Sequence, residues 1–254
     1  FCTNGMKVEQ ILISNGMKNK RIVIKLSGEV FEVGNQEANL DFPSIKKVAE
    51  SLKKLAKSGY EVGVVVGAGN IFRARMVKGA EVDRVAADHM GMMATSINAL
   101  ALQSVLEKLG QETRVLSAFS IPAVMEDYVY KRAINHLENK RIVIFAGGTG
   151  NPYFTTDTTL VLRALEIGAT NIYKASNIDG VYDSDPEKNP KAKLYKKISY
   201  GEALKKELKV MDATAFALAR DNKMSLTVFK YSPANIIAAI VKNNLGTKVT
   251  NESS

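Results

Sequence analysis

The sequence predicts an α/β fold, a doubly wound α/β/α sandwich whose central sheet is mainly parallel. Short apolar runs of strand length alternate along the chain with longer segments whose apolar residues recur at helical spacing. Strands that alternate with helices indicate a parallel sheet covered by helices on both faces. The sequence contains neither an internal repeat nor a low-complexity linker, so we expect one continuous domain.

The first predicted elements are a strand, a helix and a second strand. Residues 21–26 are a short apolar run that ends at Ser27-Gly28. Residues 42–58 carry apolar side chains at helical spacing, and Gly59 is a typical helix stop. Residues 61–66 are again a buried strand, which ends at Gly67-Ala-Gly-Asn70.

The remaining predicted elements continue this alternation. Residues 83–109 form one long helix in the prediction, and Gly110 ends it. Further strands are predicted at residues 112–116, 141–146, 171–174 and 226–229. Further helices are predicted at residues 158–166, 200–208, 212–221 and 234–242.

The composition is typical of a globular protein that acts on anions. Of the 254 residues, 46% are hydrophobic and 24% charged, and the formal net charge is +9. Such a charge attracts nucleic acids and anionic small molecules alike. The lysines are scattered without interleaved aromatic residues, so we expect no nucleic-acid partner. No apolar run reaches membrane-spanning length, and the single cysteine, Cys2, is consistent with a reducing cytoplasm, where we expect the protein.

Both ends of the chain are expected to lie outside the domain. The sequence begins without Met, and Met17-Lys-Asn-Lys-Arg21 resembles a natural start. The apolar run at residues 11–13 is too short for the core of a signal peptide. We therefore interpret residues 1–16 as a disordered upstream or expression extension. Residues 17–249 are the predicted domain, and residues 250–254 are a tail.

The most informative segment is Gly147-Gly-Thr-Gly-Asn-Pro-Tyr-Phe-Thr-Thr-Asp157, which follows a predicted buried strand. Glycines at a strand exit let backbone N–H groups approach a bound anion without interference from Cβ atoms. The segment then opens a helix, whose N-terminus favours phosphate. An ordinary strand-to-helix turn is the alternative, and it explains a string of this length poorly.

Three predicted strands end in glycine turns, at Ser27-Gly28, Gly67-Ala-Gly69 and Gly147-Gly-Thr-Gly150. Ligands of parallel sheets bind beyond the carboxyl ends of the strands, so the three turns can share one crevice for several phosphates. The sequence lacks the Gly-x-x-x-x-Gly-Lys-Ser/Thr string of P-loop enzymes. Phe72 replaces the third glycine of the dinucleotide fingerprint, which disfavours hydride transfer.

Charged residues beside these turns are candidates for phosphate and ribose contacts. Lys25 is either a snorkelling edge residue or a cation held for an anion, and Ser27-Gly28 directly after it favours the anion. Arg73 lies close enough to the second turn to bind a phosphate bidentately. Arg84 either does similar work or faces solvent. Asp88 either accepts ribose hydroxyls or complements a helix dipole.

Six motifs in the same order resemble the bacterial uridylate kinases of the amino-acid kinase superfamily, and the resemblance covers about residues 17–249. They are Lys25-Leu-Ser-Gly-Glu29, Gly67-Ala-Gly-Asn-Ile-Phe-Arg73, Asp88-His-Met-Gly-Met92, Gly148-Thr-Gly-Asn-Pro-Tyr-Phe-Thr-Thr-Asp157, Asp179-Gly-Val-Tyr-Asp-Ser-Asp-Pro186 and Glu207-Leu-Lys-Val-Met-Asp212. The resemblance implies the amino-acid kinase fold and phosphoryl transfer from MgATP to UMP.

The resemblance also implies a set of site residues. Lys25, Asp157 and Asp212 are the implied catalytic residues, with the two aspartates organising Lys25, the metal or both. The implied ATP contacts are Lys25, Leu26, Ser27, Gly28, Gly69, Arg73, Ser176, Tyr182 and Asp185. The implied UMP contacts are Ala68, Arg73, Asp88, Thr149, Gly150, Asn151, Pro152, Tyr153, Phe154, Thr155 and Thr156. Mg²⁺ is held mainly by the nucleotide phosphates, so no protein metal ligand is assigned.

Regulation and assembly are implied only by the resemblance. It implies inhibition by UTP, activation by GTP and a homohexamer. The family usually has glycine where this chain has Ala68 and Ala74, and residues 32–40 differ from the glycine-bearing loop that many relatives use for GTP activation. Two alternatives remain: a superfamily kinase of another small acid, and a non-catalytic nucleotide sensor or nucleic-acid-binding regulator on the same fold.

Overall fold

The computed structural model describes residues 20–32, 40–73, 81–186 and 188–252. In these ranges, a nine-stranded sheet forms the centre of the molecule. Its strands are β1 (Arg21–Leu26), β2 (Glu61–Val66), β3 (Thr113–Ser117), β4 (Glu126–Asp127), β5 (Ile142–Ala146), β6 (Asn171–Ser176), β7 (Lys197–Ser199), β8 (Ser225–Lys230) and β9 (Thr247–Thr250). The helices are α1 (Phe42–Lys57), α2 (Arg84–Lys108), α3 (Tyr130–Glu138), α4 (Thr156–Glu166), α5 (Tyr200–Lys205), α6 (Ala213–Asp221) and α7 (Pro233–Ile237). A 3₁₀ turn (Gly28–Phe31) follows β1, and a π-helical turn (Ala238–Lys242) follows α7.

The sheet is parallel apart from one pair of strands. The strand order is β4-β3-β5-β2-β1-β6-β8-β9-β7, and only β8 and β9 pair in antiparallel orientation within the described sheet. β1 is central and pairs with β2 on one side and β6 on the other. The carboxyl ends of β5, β2, β1 and β6 therefore lie side by side at one edge.

Each face of the sheet is covered by helices and carries its own hydrophobic core. On one face, α1, α2 and α7 pack against the sheet, with Ile24, Leu52 and Leu102 fully buried. On the other face lie α3, α4, α5 and α6, with buried residues such as Val23 and Leu160. This arrangement is the doubly wound sandwich that the alternation of strands and helices predicts, and the predicted fold class is confirmed.

Four elements are not predicted from the sequence pattern: the strands β4, β7 and β9 and the helix α3. The three strands have two to four residues, too few to display a recognisable apolar alternation. α3 buries only Ala133, His136 and Leu137, so its apolar stripe is thin. β9 ends at Thr250, the residue at which the C-terminal tail is predicted to begin.

Three helices differ from the prediction at one end for local reasons. α4 begins two residues earlier because the Thr155 hydroxyl accepts hydrogen bonds from the amides of Asp157 and Thr158. α5 ends at Lys205 rather than residue 208, since Glu207 has a φ of 52°. The last predicted helix changes from α to π geometry after Ile237. In the described ranges, no helix is both long and apolar enough to cross a membrane.

Candidate active site

Three glycine turns meet at the edge where β5, β2 and β1 end. Because these strands are parallel neighbours, the turns after Ala146, Val66 and Leu26 leave the sheet together. Gly28 lies so close to the backbone of Ala68 and Gly69 that a Cβ atom at residue 28 would collide with it. The predicted crevice shared by the three turns is therefore present in the structure.

A cavity of about 480 Å³ opens between these turns. The predicted site residues in its lining are Lys25, Ser27, Gly28, Ala68, Gly69, Arg73, Asp88, Phe154, Thr155 and Thr156. Its lining also includes Phe72, Arg84, Met92, Thr95 and Gly148. The described lining does not include Leu26, Thr149, Gly150, Asn151, Pro152 or Tyr153. The side chain of Leu26 is fully buried in the hydrophobic core, so the implied ATP contact of this residue stays a prediction that concerns its backbone.

A carboxylate is held between two lysines next to the cavity, and of these three residues only Lys25 belongs to the described lining. Lys25 on β1 and Lys174 on β6 are register partners, so their side chains leave the same face of the sheet. Asp157, in the first turn of α4, places Oδ1 3.3 Å from Lys25 Nζ and Oδ2 2.5 Å from Lys174 Nζ. All three side chains are largely buried. The structure thus joins the predicted pair Lys25 and Asp157 to Lys174, which the sequence pattern does not single out.

The charges in this cluster stabilise one another. Burial raises the pKa of Asp157, but the two neighbouring ammonium groups outweigh burial and hold that pKa below its ordinary value. Burial lowers the pKa of Lys174, Asp157 opposes this shift, and the positive charge of Lys25 adds to it. The cluster keeps Asp157 ionised and carries a net charge of +1 when both lysines are protonated. It is therefore suited to neutralise additional negative charge.

Asp212 joins the N-termini of α4 and α6. Its carboxylate caps the N-terminus of α6 by accepting a 2.9 Å hydrogen bond from the amide of Ala215. It also accepts hydrogen bonds from the hydroxyls of Thr155 and Thr158 at the start of α4. Among the contacts described for Asp212, none joins it to Lys25. The structure therefore assigns its carboxylate to the helix start that carries Asp157.

Two arginines are held at the rim of the cavity by carboxylates. Arg73 donates from Nε to the carbonyl of Gly69 and lies 3.2 Å from the Glu29 carboxylate. Arg84 donates from Nε to both carboxylate oxygens of Asp88, at 2.8 and 2.9 Å. Each arginine is half-exposed or exposed, so an incoming anion can compete with these carboxylates. The cavity therefore contains Lys25 on its floor and two arginines at its rim.

The segment from residue 147 to 156 bends tightly over this rim. Gly147 and Gly150 have φ values of 72° and 81°, which side chains with a Cβ rarely adopt. Tyr153 also has a positive φ, 69°, and its amide donates a 2.8 Å hydrogen bond to Asp88. The hydroxyl of Thr149 hydrogen bonds with the backbone of Asn151. The end of the segment is thus tied to Asp88, which lies on α2.

A second cavity, of about 440 Å³, is lined by residues 180–186 and 206–209 among others. Tyr182 forms an antiparallel bridge with Leu194, and Tyr182 and Asp185 line the cavity together with Lys206. Tyr182 and Asp185, two of the implied ATP contacts, therefore share one cavity. Ser176 ends β6, and it is not part of the described lining of this cavity.

The predictions that concern the GTP loop and Ala74 fall largely outside the described residues. Residues 33–39 and 74–80 belong to none of the four described ranges. The predicted extension at residues 1–16 also lies outside them.

Comparison with known proteins identifies the family of this chain. The sequence signature of the amino acid kinase family matches residues 20–230. A uridylate kinase of Methylococcus capsulatus is 49% identical over 225 residues, which is 89% of this chain and 94% of the relative. A uridylate kinase of Rickettsia typhi is 48% identical over 229 residues, which is 90% of this chain and 93% of the relative.

Solved structures with the same fold include two UMP kinases. The crystal structure of UMP kinase from Ureaplasma parvum superposes with a TM-score of 0.87 at 41% identity, covering 92% of this chain and 100% of that chain. UMP kinase from Bacillus anthracis also gives a TM-score of 0.87, at 36% identity, covering 92% of this chain and 97% of that chain. This chain therefore belongs to the amino acid kinase family and, within it, to the uridylate kinases.

Proposed function

We propose that this protein transfers the γ-phosphoryl group of MgATP to the phosphate of UMP and releases UDP and ADP. The Lys25–Asp157–Lys174 cluster beneath three glycine turns is the observation that carries this proposal. The family membership selects UMP as the acceptor, since the relatives named above are uridylate or UMP kinases.

The reaction requires alignment and charge neutralisation more than proton transfer. The nucleophile is a phosphate oxygen that is already anionic at neutral pH, so no strong general base is needed. The transferred group gains its stabilisation from cations placed before the reaction begins. Lys25 lines the cavity and is the residue that we assign to contact the transferred phosphoryl group. Asp157 keeps Lys25 in position.

We infer that Lys174 lies between the two cavities. Its ammonium group contacts Asp157 beneath the first cavity and donates a 2.9 Å hydrogen bond to the carbonyl of Val210. Residues 206–209, immediately before Val210, line the second cavity. We place the adenosine of ATP in the second cavity, with Tyr182 and Asp185, and UMP in the first. In this placement the phosphates of ATP extend from the second cavity past Lys174 and Lys25 to the phosphate of UMP.

Magnesium is proposed to enter with the nucleotide as the substrate MgATP. Both oxygens of Asp157 already face ammonium groups, so this carboxylate is committed to the lysines. Mg²⁺ prefers oxygen ligands and is commonly bound by substrate phosphates. The residues of the site therefore fit a metal held by the phosphates of ATP, with the ion neutralising phosphate charge.

The test of this function is release of ADP from MgATP with each of UMP, CMP, dTMP, AMP and acetylglutamate. Turnover confined to UMP supports the proposal. Turnover with acetylglutamate alone would assign the protein to the alternative of a small-acid kinase. Binding of UMP without turnover with any acceptor would favour the alternative of a nucleotide sensor.

Arg73→Ala should raise the KM for UMP while the KM for ATP changes little. A bidentate arginine–phosphate contact is a strong, charge-assisted interaction, so we expect an increase of roughly 10- to 100-fold in the KM for UMP. The measurement is the set of steady-state constants for both substrates. Arg73→Lys is the matched control, because lysine keeps the positive charge but lacks the planar guanidinium that binds phosphate bidentately. Equal increases in both KM values would contradict the assignment of Arg73 to the UMP phosphate.

Assembly and regulation are further proposals that rest on the family. Met90, Met93 and Ile97 form an exposed apolar stripe on α2, at 45%, 48% and 49% exposure, which supports self-association of the proposed homohexamer. Light scattering of the purified protein tests the hexamer. Inhibition by UTP, activation by GTP and a cytoplasmic location stay predictions.

A further inference from the structure

One helix, α2, holds two of the three glycine turns through buried polar side chains. Asn98 contacts the turn that follows β2, and Thr95 contacts the turn that follows β5. The two residues are three positions apart, so they lie on the same face of the helix. The helix thus bridges two turns that come from separate strands.

Asn98 fixes the turn after β2 with three hydrogen bonds. It is fully buried, and its Nδ2 donates to the carbonyl of Gly67 at 2.7 Å. Its amide also exchanges hydrogen bonds of 2.8 and 3.1 Å with the amide of Asn70. Asn70 Oδ1 in turn lies against Gly28, since a Cβ atom added at Gly28 would be 2.7 Å from it. The Asn70–Asn98 pair therefore supports the first two turns together.

Thr95 fixes the turn after β5 with a hydroxyl that both donates and accepts a hydrogen bond. Its Oγ1 donates a 2.6 Å hydrogen bond to the carbonyl of Met92, one turn earlier in the helix. That bond directs the hydroxyl proton along the helix and leaves a lone pair for the amide of Gly147, which donates at 2.8 Å. Thr95 is buried, and it lines the first cavity.

We propose that Thr95 and Asn98 are positioning residues that set the distance between the donor and acceptor phosphates. The inference rests on the proposed function and on the implied contacts, in which Gly69 of the turn after β2 receives an ATP phosphate and residues 149–156 receive UMP. In-line transfer depends on the separation and angle of the reacting groups, and a displacement of about 1 Å is able to reduce the rate on the order of 100-fold. Because both turns are fixed to one rigid helix, their separation is set before either substrate binds.

The test compares Thr95→Val with Thr95→Ser. Valine keeps the volume and the branched shape of threonine but loses the hydroxyl, whereas serine keeps the hydroxyl. Ser96→Ala is the matched control, because Ser96 is also buried on α2 and its Oγ has no hydrogen-bond partner among the described atoms. We expect Thr95→Val to reduce kcat about tenfold with both KM values within threefold of wild type. Thr95→Ser and Ser96→Ala should keep kcat within threefold of wild type.

The readouts separate positioning from general destabilisation. A purely structural role would lower the melting temperature of Thr95→Val and leave kcat per folded molecule unchanged, and that result would overturn the inference. A rise in the KM for UMP at constant kcat would also overturn it, because it would mean that Thr95 only shapes the UMP site. If Thr95→Val does not fold, Asn98→Ser takes its place. Serine loses the carboxamide that bonds to Gly67 and Asn70 but keeps a polar donor in the buried position. The expected result and the contradicting results are the same as those for Thr95→Val.

The wild-type protein, measured in the same assay, distinguishes the inference from the proposed function. Absence of UMP-dependent ADP release by the wild type would contradict both of them. Normal turnover by the wild type together with a Thr95→Val variant that behaves like Ser96→Ala would contradict the inference alone.

Discussion

Replacing Lys25 by Met is expected to reduce kcat about 1,000-fold, the upper range for loss of one preorganised group that stabilises transition-state charge. Methionine preserves most of the length of the side chain and removes the ammonium group that lines the cavity. The fold should persist because Asp157 retains its 2.5 Å contact with Lys174 and so is not left as an uncompensated buried charge. Pre-steady-state and steady-state turnover with MgATP and UMP are the measurements, with circular dichroism as the check on folding.

Two controls sharpen this expectation. Lys25→Arg keeps a positive charge on a larger and planar group, so part of the activity should return while alignment suffers. Lys54→Met removes a lysine that is exposed on α1, on the other face of the sheet, and it should leave turnover unchanged. If Lys25→Met were to retain near-normal kcat, Lys25 would be a structural residue and the assignment of its ammonium group would be wrong.

The glycine turns and the strands before them could be predicted because their signals are local. A run of apolar residues followed by glycine predicts both a strand and the position at which it ends, to within a few residues. Asp157 is likewise visible, since it stands at the start of a helix that follows such a turn. The placement of Lys25, Gly28 and Gly147 at one edge then follows from the rule that parallel strands end together.

Lys174 could not be found in the same way because its role depends on a distant pairing. Its strand is not followed by a glycine turn, and the contact with Asp157 exists only because β6 pairs with β1 in one register. Those strands are separated by about 150 positions in the sequence. Asp212 differs from Lys174, because its capping contact is local: it is the N-cap of α6, and the helix predicted to begin at residue 212 begins at Ala213.

Replacing Asp157 by Asn should reduce kcat at neutral pH on the order of 100-fold, a value within the range of losses seen when a transition-state electrostatic group is disturbed. Asparagine keeps the shape of the side chain but removes the charge that opposes the burial of Lys174. The pKa of Lys174 already lies below its ordinary value, and it should fall further in the variant. A lysine loses its proton as the pH rises through its pKa, so the ammonium charge will disappear at a lower pH than in the wild type.

The pH profile of kcat is therefore the decisive measurement for Asp157. In the variant, the alkaline limb should move to lower pH than in the wild type, because the pKa of Lys174 loses the opposing effect of the Asp157 charge. Lys174→Met in the Asp157→Asn background removes the titrating group, so the displaced limb should disappear from the residual activity. An alkaline limb that stays in place in Asp157→Asn would show that Asp157 does not control the charge of Lys174. A displaced limb that Lys174→Met abolishes would establish that Asp157 influences turnover through the charge of Lys174.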